Sequence, residues 1–401
     1  MRRTLLVAGH GMVGHRLVAQ VRRRDPQGRW RVVAVTAEAH SAYDRMALSS
    51  YALRPPGDPG LDLVGPLRTD PLVELRTGTR LVGIDVAGRT AHCADGTALP
   101  YDALVLATGS RPFVPPVPGS GLPGCFVYRT LDDLTALRAA AEAGAPGVVI
   151  GGGLLGLEAA EVLRRLGMRP HVIEMAPRLM PVQVDAAGAE ILAGLVRSLG
   201  VDVVVDAGVE AVRAGPDGRV AGVALRDGRV LPARVVVFAA GVRPRDELAA
   251  AAGLSVAPRG GVAVDALCRT GAPGIWAVGE CASLDGRTYG LVAPGYRMAD
   301  TVAARLTGDE TAVLPPLDTS TRLKVLGVGV GTFGDAHATT PGALSLARTV
   351  GTSSYEKLVL SADGRTLLGG VLVGDLSRWA VLHALAGREL PTEPELLPAA
   401  L

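Results

Sequence analysis

Two short glycine-rich runs carry the chemistry legible in this chain. Gly9-His10-Gly11-Met12-Val13-Gly14 and Gly151-Gly152-Gly153-Leu154-Leu155-Gly156 both read Gly-x-Gly-x-x-Gly. In such a run the first glycine allows a tight turn, the second lets the backbone approach a pyrophosphate, and the third permits close helix–strand packing. The helix that follows turns its positive end toward the phosphates. A carboxylate completes each copy: Glu38 lies 24 residues past Gly14, and Glu174 lies 18 residues past Gly156, where an acidic side chain accepts hydrogen bonds from a ribose diol. At Glu174 a carboxylate suits a 2′-hydroxyl and repels a 2′-phosphate, so NAD is expected over NADP. Arg178 lies close by, either softening that preference or sitting on the surface beside Pro177. Two dinucleotide sites in one chain pair naturally as a flavin with a nicotinamide. The expected chemistry is hydride transfer from NADH to FAD, with the protein supplying orientation more than acid–base groups.

The elements that must hold these turns are visible on either side of them. Apolar β-rich runs at residues 4–8 and 32–36 flank a stretch of helical spacing, Val13, Leu17, Val18 and Val21, giving a strand–helix–strand unit. A second unit runs from Val148-Val149-Ile150 through Leu157, Ala160, Val162, Leu163 and Leu166 to His171-Val172-Ile173. Asp95-Gly96 and Asp227-Gly228 mark hairpins, and strands at Lys357–Leu360 and Gly370–Val373 precede a helix near Ala380–Ala386. A proline-rich crossing at residues 111–119 and the pair Pro315-Pro316 mark boundaries. The expected fold is α/β, with two Rossmann-like dinucleotide-binding units and a further region of mixed strands and helix after Pro315-Pro316.

Composition narrows the rest. With 41 Lys+Arg against 39 Asp+Glu and 3% aromatic residues, no global field or stacking surface recruits nucleic acid. No window reaches the about 18 uninterrupted apolar residues of a membrane span. The amino-terminal apolar run is too short for a signal peptide, so a cytoplasmic protein is expected. Four cysteines, Cys93, Cys125, Cys268 and Cys281, show no metal-like spacing and read as unpaired thiols. The chain holds 52 glycines and 28 prolines, and many of them find a use at the phosphate turns, at Gly109, Gly241 and Gly279, and at domain crossings. Gly327, Gly329, Gly331 and Gly334 have no cofactor to justify them.

Three further segments give the chain a family likeness. Ala103-Leu104-Val105-Leu106-Ala107 running into Thr108-Gly109-Ser110-Arg111-Pro112, Phe238-Ala239-Ala240-Gly241-Val242-Arg243-Pro244, and Gly274-Ile275-Trp276-Ala277-Val278-Gly279-Glu280 resemble the two-dinucleotide flavoproteins of the pyridine nucleotide-disulfide oxidoreductase superfamily. Within it, residues 42–50, Gly290-Leu291-Val292-Ala293-Pro294 and Ser320–Val325 are similar to the FAD/NAD-binding front portion of assimilatory NADH nitrite reductase large subunits. Ferredoxin and rubredoxin reductases are also similar. The resemblance implies a glutathione-reductase-like α/β fold of two Rossmann-like dinucleotide-binding domains plus an α+β C-terminal domain, with residues 1–112 and 236–314 as the FAD-binding domain, 113–235 as the NAD-binding domain and 315–401 as a C-terminal interface domain. It implies FAD on the first unit: Gly9, Gly11, Met12, Val13 and Gly14 at its pyrophosphate, Glu38 at its adenosine ribose, Arg45 at its phosphates and the Val82 backbone at its adenine. Thr108, Gly109 and Arg111 would lie along the cofactor, Glu280 would accept from a ribityl hydroxyl, and the backbone at Ala293 and Pro294 would approach the isoalloxazine. NAD would take Gly151, Gly153, Leu154, Leu155, Gly156, Glu174 and Gly241. Glu158 is similar to a residue near the nicotinamide–flavin contact, with a capping or buried structural carboxylate as the alternative.

The departures shape the expected activity. Residues 40–55, where relatives carry redox cysteines, contain none, so a thiol relay is excluded and electrons must leave FAD directly. The cysteine clusters of iron–sulfur and siroheme modules are also absent, so nitrite reduction by this chain alone is not expected. The leading reading is a NADH-dependent flavoprotein oxidoreductase, monomer or homodimer, that passes electrons to a small redox protein or a nitrite reductase component. A self-sufficient flavoenzyme acting on a small, nitrogen-containing molecule is the alternative, and a NADH-sensing non-catalytic flavoprotein a third. The cluster Arg22, Arg23, Arg24, Arg29 and Arg31 reads either as a dock for an acidic partner or as a solvated helix end.

Overall fold

The computed structural model describes residues 2–54 and 59–390. The chain forms two compact units, Met1–Arg111 with Val242–Thr319, and Pro112–Gly241 with Ser320–Leu401.

The first unit is built on a five-stranded parallel sheet. In spatial order its strands are Ile275–Ala277, Ala103–Leu106, Arg3–Ala8, Trp30–Val35 and Val73–Arg76. The sequence alternates strand with crossover, and parallel strands covered on both faces become apolar throughout: Leu5, Leu6, Val7, Leu104 and Val105 are fully buried. Helices Met12–Arg24 and Val292–Leu306 pack together in this unit, and Leu17, Val18, Val21, Met298, Ala299 and Val302 join the core that the sheet forms. A three-stranded antiparallel sheet, Leu81–Asp85, Thr90–Cys93 and Ala98–Pro100, turns at Asp95-Gly96 as its sequence requires.

The second unit repeats the design. Its parallel sheet runs Cys125–Val127, Val235–Phe238, Pro146–Ile150, Arg169–Ile173 and Asp202–Val204. The central strand, its two neighbours and the outer strand on one side match the first sheet in order and direction. The other outer strand comes from a different place in the chain: in the first unit it follows the repeat at residue 275, and in the second it precedes it at residue 125. Local periodicity cannot announce such an exchange.

Residues from 320 onward add a five-stranded antiparallel sheet to this second unit, in the order Thr321–Val325, Val328–Gly334, Leu367–Gly374, Ser354–Leu360, Leu344–Val350. Helix Ala186–Ser198 packs against its strands. At the helix N-cap, Asp185 accepts the Gly188 amide at 3.1 Å and the Tyr355 hydroxyl at 2.7 Å, and it pairs with the buried Lys357 ammonium at 3.3 Å. Two of the unexplained glycines belong to packing: a Cβ on Gly331 would stand 2.3 Å from Trp379, and one on Gly329 2.7 Å from Leu376; Gly327 has φ of +83° in the turn between two strands, and a Cβ on Gly334 would meet the Leu368 oxygen at 2.0 Å. The sheet face is cleared at Gly329 and Gly331 so that helix Trp379–Leu385 can seat. Of the expected C-terminal domain, 391–401 lie outside the described residues.

Candidate functional site

Both glycine turns adopt one geometry. Gly9 and Gly151 have φ of +109° and +118°, and a Cβ on either would lie 2.2 or 2.3 Å from a carbonyl of the neighbouring strand's end, Ala107 or Ala239. Gly14 and Gly156 press on the first glycine of their own turn: a Cβ would fall 2.1 and 1.8 Å from the Gly9 and Gly151 oxygens. The middle glycine is the exception in each copy. Nothing stands within 4 Å of the Cβ position of Gly153, and Gly11 meets only the Arg45 guanidinium, at 3.8 Å. First and third glycines are therefore required by the fold, and the middle one keeps space open.

The helices behind these turns leave their amino termini bare. Gly11 and Gly153 are the N-caps of helices Met12–Arg24 and Leu154–Arg165; neither supplies a side-chain cap, and neither first turn holds an acidic residue. Helix Leu131–Ala140 shows the contrasting arrangement, with Thr130 and Asp133 forming a full capping box. Unsatisfied amide groups with positive dipole potential and an open middle glycine make two anion cradles. Met12, Val13, Leu154 and Leu155 form the opening turns of those helices, with Met12 buried and the others partly buried.

Each cradle has its carboxylate. Glu38 lies in the loop three residues past strand Trp30–Val35; it accepts from the Tyr43 hydroxyl at 2.8 Å and pairs with Arg45. Arg45 also lies over the Tyr43 ring, 4.9 Å from its centre. Burial opposes the Arg45 charge, but Tyr43, Glu38 and Glu280 outweigh it and hold the cation firmly. In the second unit Glu174 follows strand Arg169–Ile173 directly. One carboxylate oxygen accepts the Gly152 amide at 2.6 Å and the other the Ala176 amide at 2.8 Å, so it is tied to the glycine turn itself. Arg178 spends its guanidinium on the Val184 and Pro181 carbonyls, at 3.2 and 3.5 Å.

Of the other expected residues of the first unit, Glu280, Ala293 and Pro294 lie beside its cradle. Glu280 sits in a 3-10 turn, Gly279–Cys281, and accepts from the Ser110 hydroxyl at 2.7 Å. Gly279 and Gly295 both close on Val13, bringing the amino end of helix Val292–Leu306, with Ala293 and Pro294 in its first turn, beside the glycine turn. Thr108 donates to the Arg245 carbonyl at 2.7 Å, and Gly109 has φ of +68°. Arg111 is exposed and paired with Glu247, while Val82 is 54% exposed on the antiparallel sheet. In the second unit Gly241 has φ of +105° and nothing near its Cβ position.

Sequence reading alone did not pick out the part of Ser110, which steadies Glu280. His10 and His15 lie edge to face, 5.6 Å apart, and both His10 nitrogens are buried without a partner. Burial, then His15, lowers His10 to about 4, with Asp62 opposing. Glu158, on the helix of the second cradle, makes no hydrogen bond or ion pair among the described residues, and burial pushes it up to about 7. The arginine cluster is largely neutralised: Arg22 pairs with Asp70, Arg29 with Asp25 and Arg31 with Glu74. The four cysteines are free, and burial raises the thiols of Cys125 and Cys268 to about 11 and 12.

Two open cradles on two matched parallel sheets, each with a ribose-type carboxylate, define an α/β protein built to hold two dinucleotides. The chain belongs to the pyridine nucleotide-disulphide oxidoreductase family, whose model matches residues 3–306. It is 47% identical to the nitrite reductase [NAD(P)H] large subunit of Klebsiella oxytoca, across 98% of this chain and 42% of that protein. It is 30% identical to the ferredoxin–NAD(+) reductase subunit of the benzene 1,2-dioxygenase system of Pseudomonas putida, across 99% of this chain and 95% of that one. Among solved structures, a ferredoxin reductase from Rhodopseudomonas palustris superposes with a TM-score of 0.82 at 32% identity, covering 94% of this chain and 93% of that one. The chain thus spans less than half of the Klebsiella protein and nearly all of the two reductases. Among the described residues no helix is long and apolar enough to cross a membrane.

Proposed function

We propose that this chain is the electron-input part of a NADH oxidoreductase: hydride passes from NADH to FAD, and electrons pass on to a separate redox protein, of ferredoxin or rubredoxin type, or to a nitrite reductase component. The observation that carries this reading is the doubled cradle, in which only the middle glycine of each turn is left open. The names of the relatives support the acceptor class.

FAD, when bound, supplies the chemistry of taking up a hydride and releasing its electrons onward. The first unit, Met1–Arg111 with Val242–Thr319, would hold it; strand Val235–Phe238, expected in the FAD-binding domain, instead pairs with Pro146–Ile150 in the second unit. The Gly11 turn and the bare amides of helix Met12–Arg24 bind the pyrophosphate, and Arg45, held over Gly11 by Glu38 and Tyr43, neutralises it. Glu38 keeps acceptor capacity for a ribose, and Glu280, fixed by Ser110, takes a ribityl hydroxyl. The amino end of helix Val292–Leu306 favours negative charge at whatever it faces.

Within 113–235, the Gly153 turn binds the nicotinamide nucleotide and Glu174 takes its 2′-hydroxyl. The Glu174 carboxylate is already committed to two backbone amides, so a 2′-phosphate would have to sit against a fixed anion. Arg178 is turned to carbonyls and does not relieve that repulsion, which supports NAD over NADP. No cysteine offers an easily ionised thiol, in line with electrons leaving FAD without a disulfide relay. Residues 315–401 form the interface for the acceptor in this reading.

Purified protein should be yellow, and anaerobic NADH should bleach it much faster than NADPH. Colourless protein would remove the flavin assignment, and equal rates would remove the Glu174 argument.

A further inference from the structure

We propose that Tyr355 is a positioning residue for the second cradle: through Asp185, its hydroxyl latches segment 174–185 to the antiparallel sheet of residues 321–374 and so fixes the backbone on which NADH is bound. The proposal rests on the reading of Glu174 and the Gly153 turn as the NADH site.

The segment leaves strand Arg169–Ile173 at Glu174 and ends at Asp185, the N-cap of helix Ala186–Ser198. Its first half is bound to the glycine turn. Glu174 accepts the Gly152 amide at 2.6 Å, the Met180 amide donates to the Gly152 carbonyl at 3.0 Å, and a Cβ on Gly152 would stand 2.7 Å from the Leu179 side chain. Gly152 thus gives both its amide and its carbonyl to the segment, one residue before the open Gly153. The second half is bound to the sheet. Asp185 accepts the Tyr355 hydroxyl at 2.7 Å and pairs with Lys357 at 3.3 Å, and His337 donates from Nε2 to the Val182 carbonyl at 2.8 Å. The Tyr355 ring lies against the first turn of the helix, where a Cβ on Gly188 would stand 3.0 Å from it.

Met180 joins the two halves. It is fully buried and has φ of +46°, a left-handed conformation that is strained for a residue with a side chain and persists only where the surroundings over-determine it. Its amide is held by Gly152, and its carbonyl accepts the Gln183 and Val184 amides at 2.9 and 3.0 Å. Val184 is followed by Asp185. Between the Tyr355 phenol and the Gly152 carbonyl stand only the Asp185 side chain, one peptide link and the hydrogen bonds of Met180. With the latch made, the strained turn is locked; with the latch open, the turn relaxes, and Gly152 and Glu174 move with it. The cradle binds fully only in the latched form, so the apparent affinity for NADH falls in proportion to the latched fraction.

The test compares wild type, Tyr355→Phe, Asp185→Asn and Glu174→Ala as flavin-loaded proteins. Anaerobic stopped-flow of flavin reduction against NADH concentration separates the dissociation constant from the limiting rate. Tyr355→Phe should raise the Kd for NADH three- to tenfold, a latched fraction of about 0.1 to 0.3, with flavin content and limiting rate unchanged. Asp185→Asn keeps an acceptor for the phenol and for the Gly188 amide but gives up the charge facing Lys357. It should melt lower than wild type, with its Kd within about twofold. An unchanged Kd in Tyr355→Phe overturns the proposal, as does a Kd that follows the melting temperature across these two variants, the mark of a purely structural contact. An unchanged Kd in Glu174→Ala overturns instead the reading of Glu174 on which the proposal rests. Because a substituted protein can lose its fold, wild type gives a reading of its own. By reciprocity, NAD+ bound to the oxidised protein should slow hydrogen exchange in peptides covering the start of helix Ala186–Ser198, and no slowing overturns the latch.

Discussion

Replacing Gly153 and Gly156 by alanine separates what the second glycine turn does for folding from what it does for binding. A Cβ on Gly156 would lie 1.8 Å from the Gly151 oxygen, a distance that no rotamer relieves. The helix must move off its strand, at about 1–3 kcal/mol for overpacking of this kind. In a unit of this size that lowers the melting temperature by roughly 3–10 °C. Gly153 has φ of −79° and ψ of −173°, extended backbone that alanine adopts freely, and nothing stands within 4 Å of its Cβ position. Gly153→Ala should therefore leave the melting temperature unchanged or slightly raised, through the stiffer unfolded chain. Its methyl group fills the space a pyrophosphate must enter to reach the Gly153 and Leu154 amides. NADH affinity should fall at least tenfold, about 1.4 kcal/mol, with flavin content unaltered. Differential scanning calorimetry, flavin absorbance and anaerobic NADH titration of both variants give the three readings. Unchanged NADH affinity in Gly153→Ala, or a Gly156→Ala protein that melts like wild type, would refute the division of labour among the three glycines.

Glu174→Ala should raise the Michaelis constant for NADH with flavin retained; loss of FAD instead would mean the two sites are exchanged. Glu38→Ala should do the opposite, releasing flavin on gel filtration while NAD binding to the second unit persists. His10 is held neutral in the folded state, with its pKa lowered to about 4 from 6.5, so the unfolded chain binds the extra proton between those values. Stability from this group is present above about pH 6.5 and is lost as the pH falls toward 4, by roughly 3 kcal/mol; His10→Asn should flatten that part of a denaturant-midpoint profile. Asp185→Ala removes a helix cap and the counter-charge of the buried Lys357 ammonium, leaving it the Ala336 carbonyl at 3.2 Å, so it should cost about 2–4 kcal/mol in urea unfolding, and a loss under 1 kcal/mol would show that Lys357 does not depend on the ion pair.

The glycine turns, their carboxylates and the flanking strand–helix–strand units were legible in the sequence because each depends on residues within about 30 positions. Glu38 and Glu174 fall where spacing puts them, although Glu38 stands in the loop beyond its strand. Gly329 and Gly331 looked anomalous because their reason, Leu376 and Trp379, lies about 50 residues away and involves a helix seated on a sheet. The arginine run looked like a free basic patch because Asp70 and Glu74, which neutralise Arg22 and Arg31, come from another segment.

The account's central claim is that electrons enter from NADH, rest on one flavin and leave to another protein. An anaerobic titration of purified protein with NADH, followed by mixing with an oxidised ferredoxin, with nitrite or with oxygen, tests this most directly. One NADH should bleach one flavin, the iron–sulfur protein should restore the colour rapidly, and nitrite and oxygen should restore it slowly. Absence of flavin, or reoxidation by nitrite or oxygen faster than by any iron–sulfur protein, would contradict it.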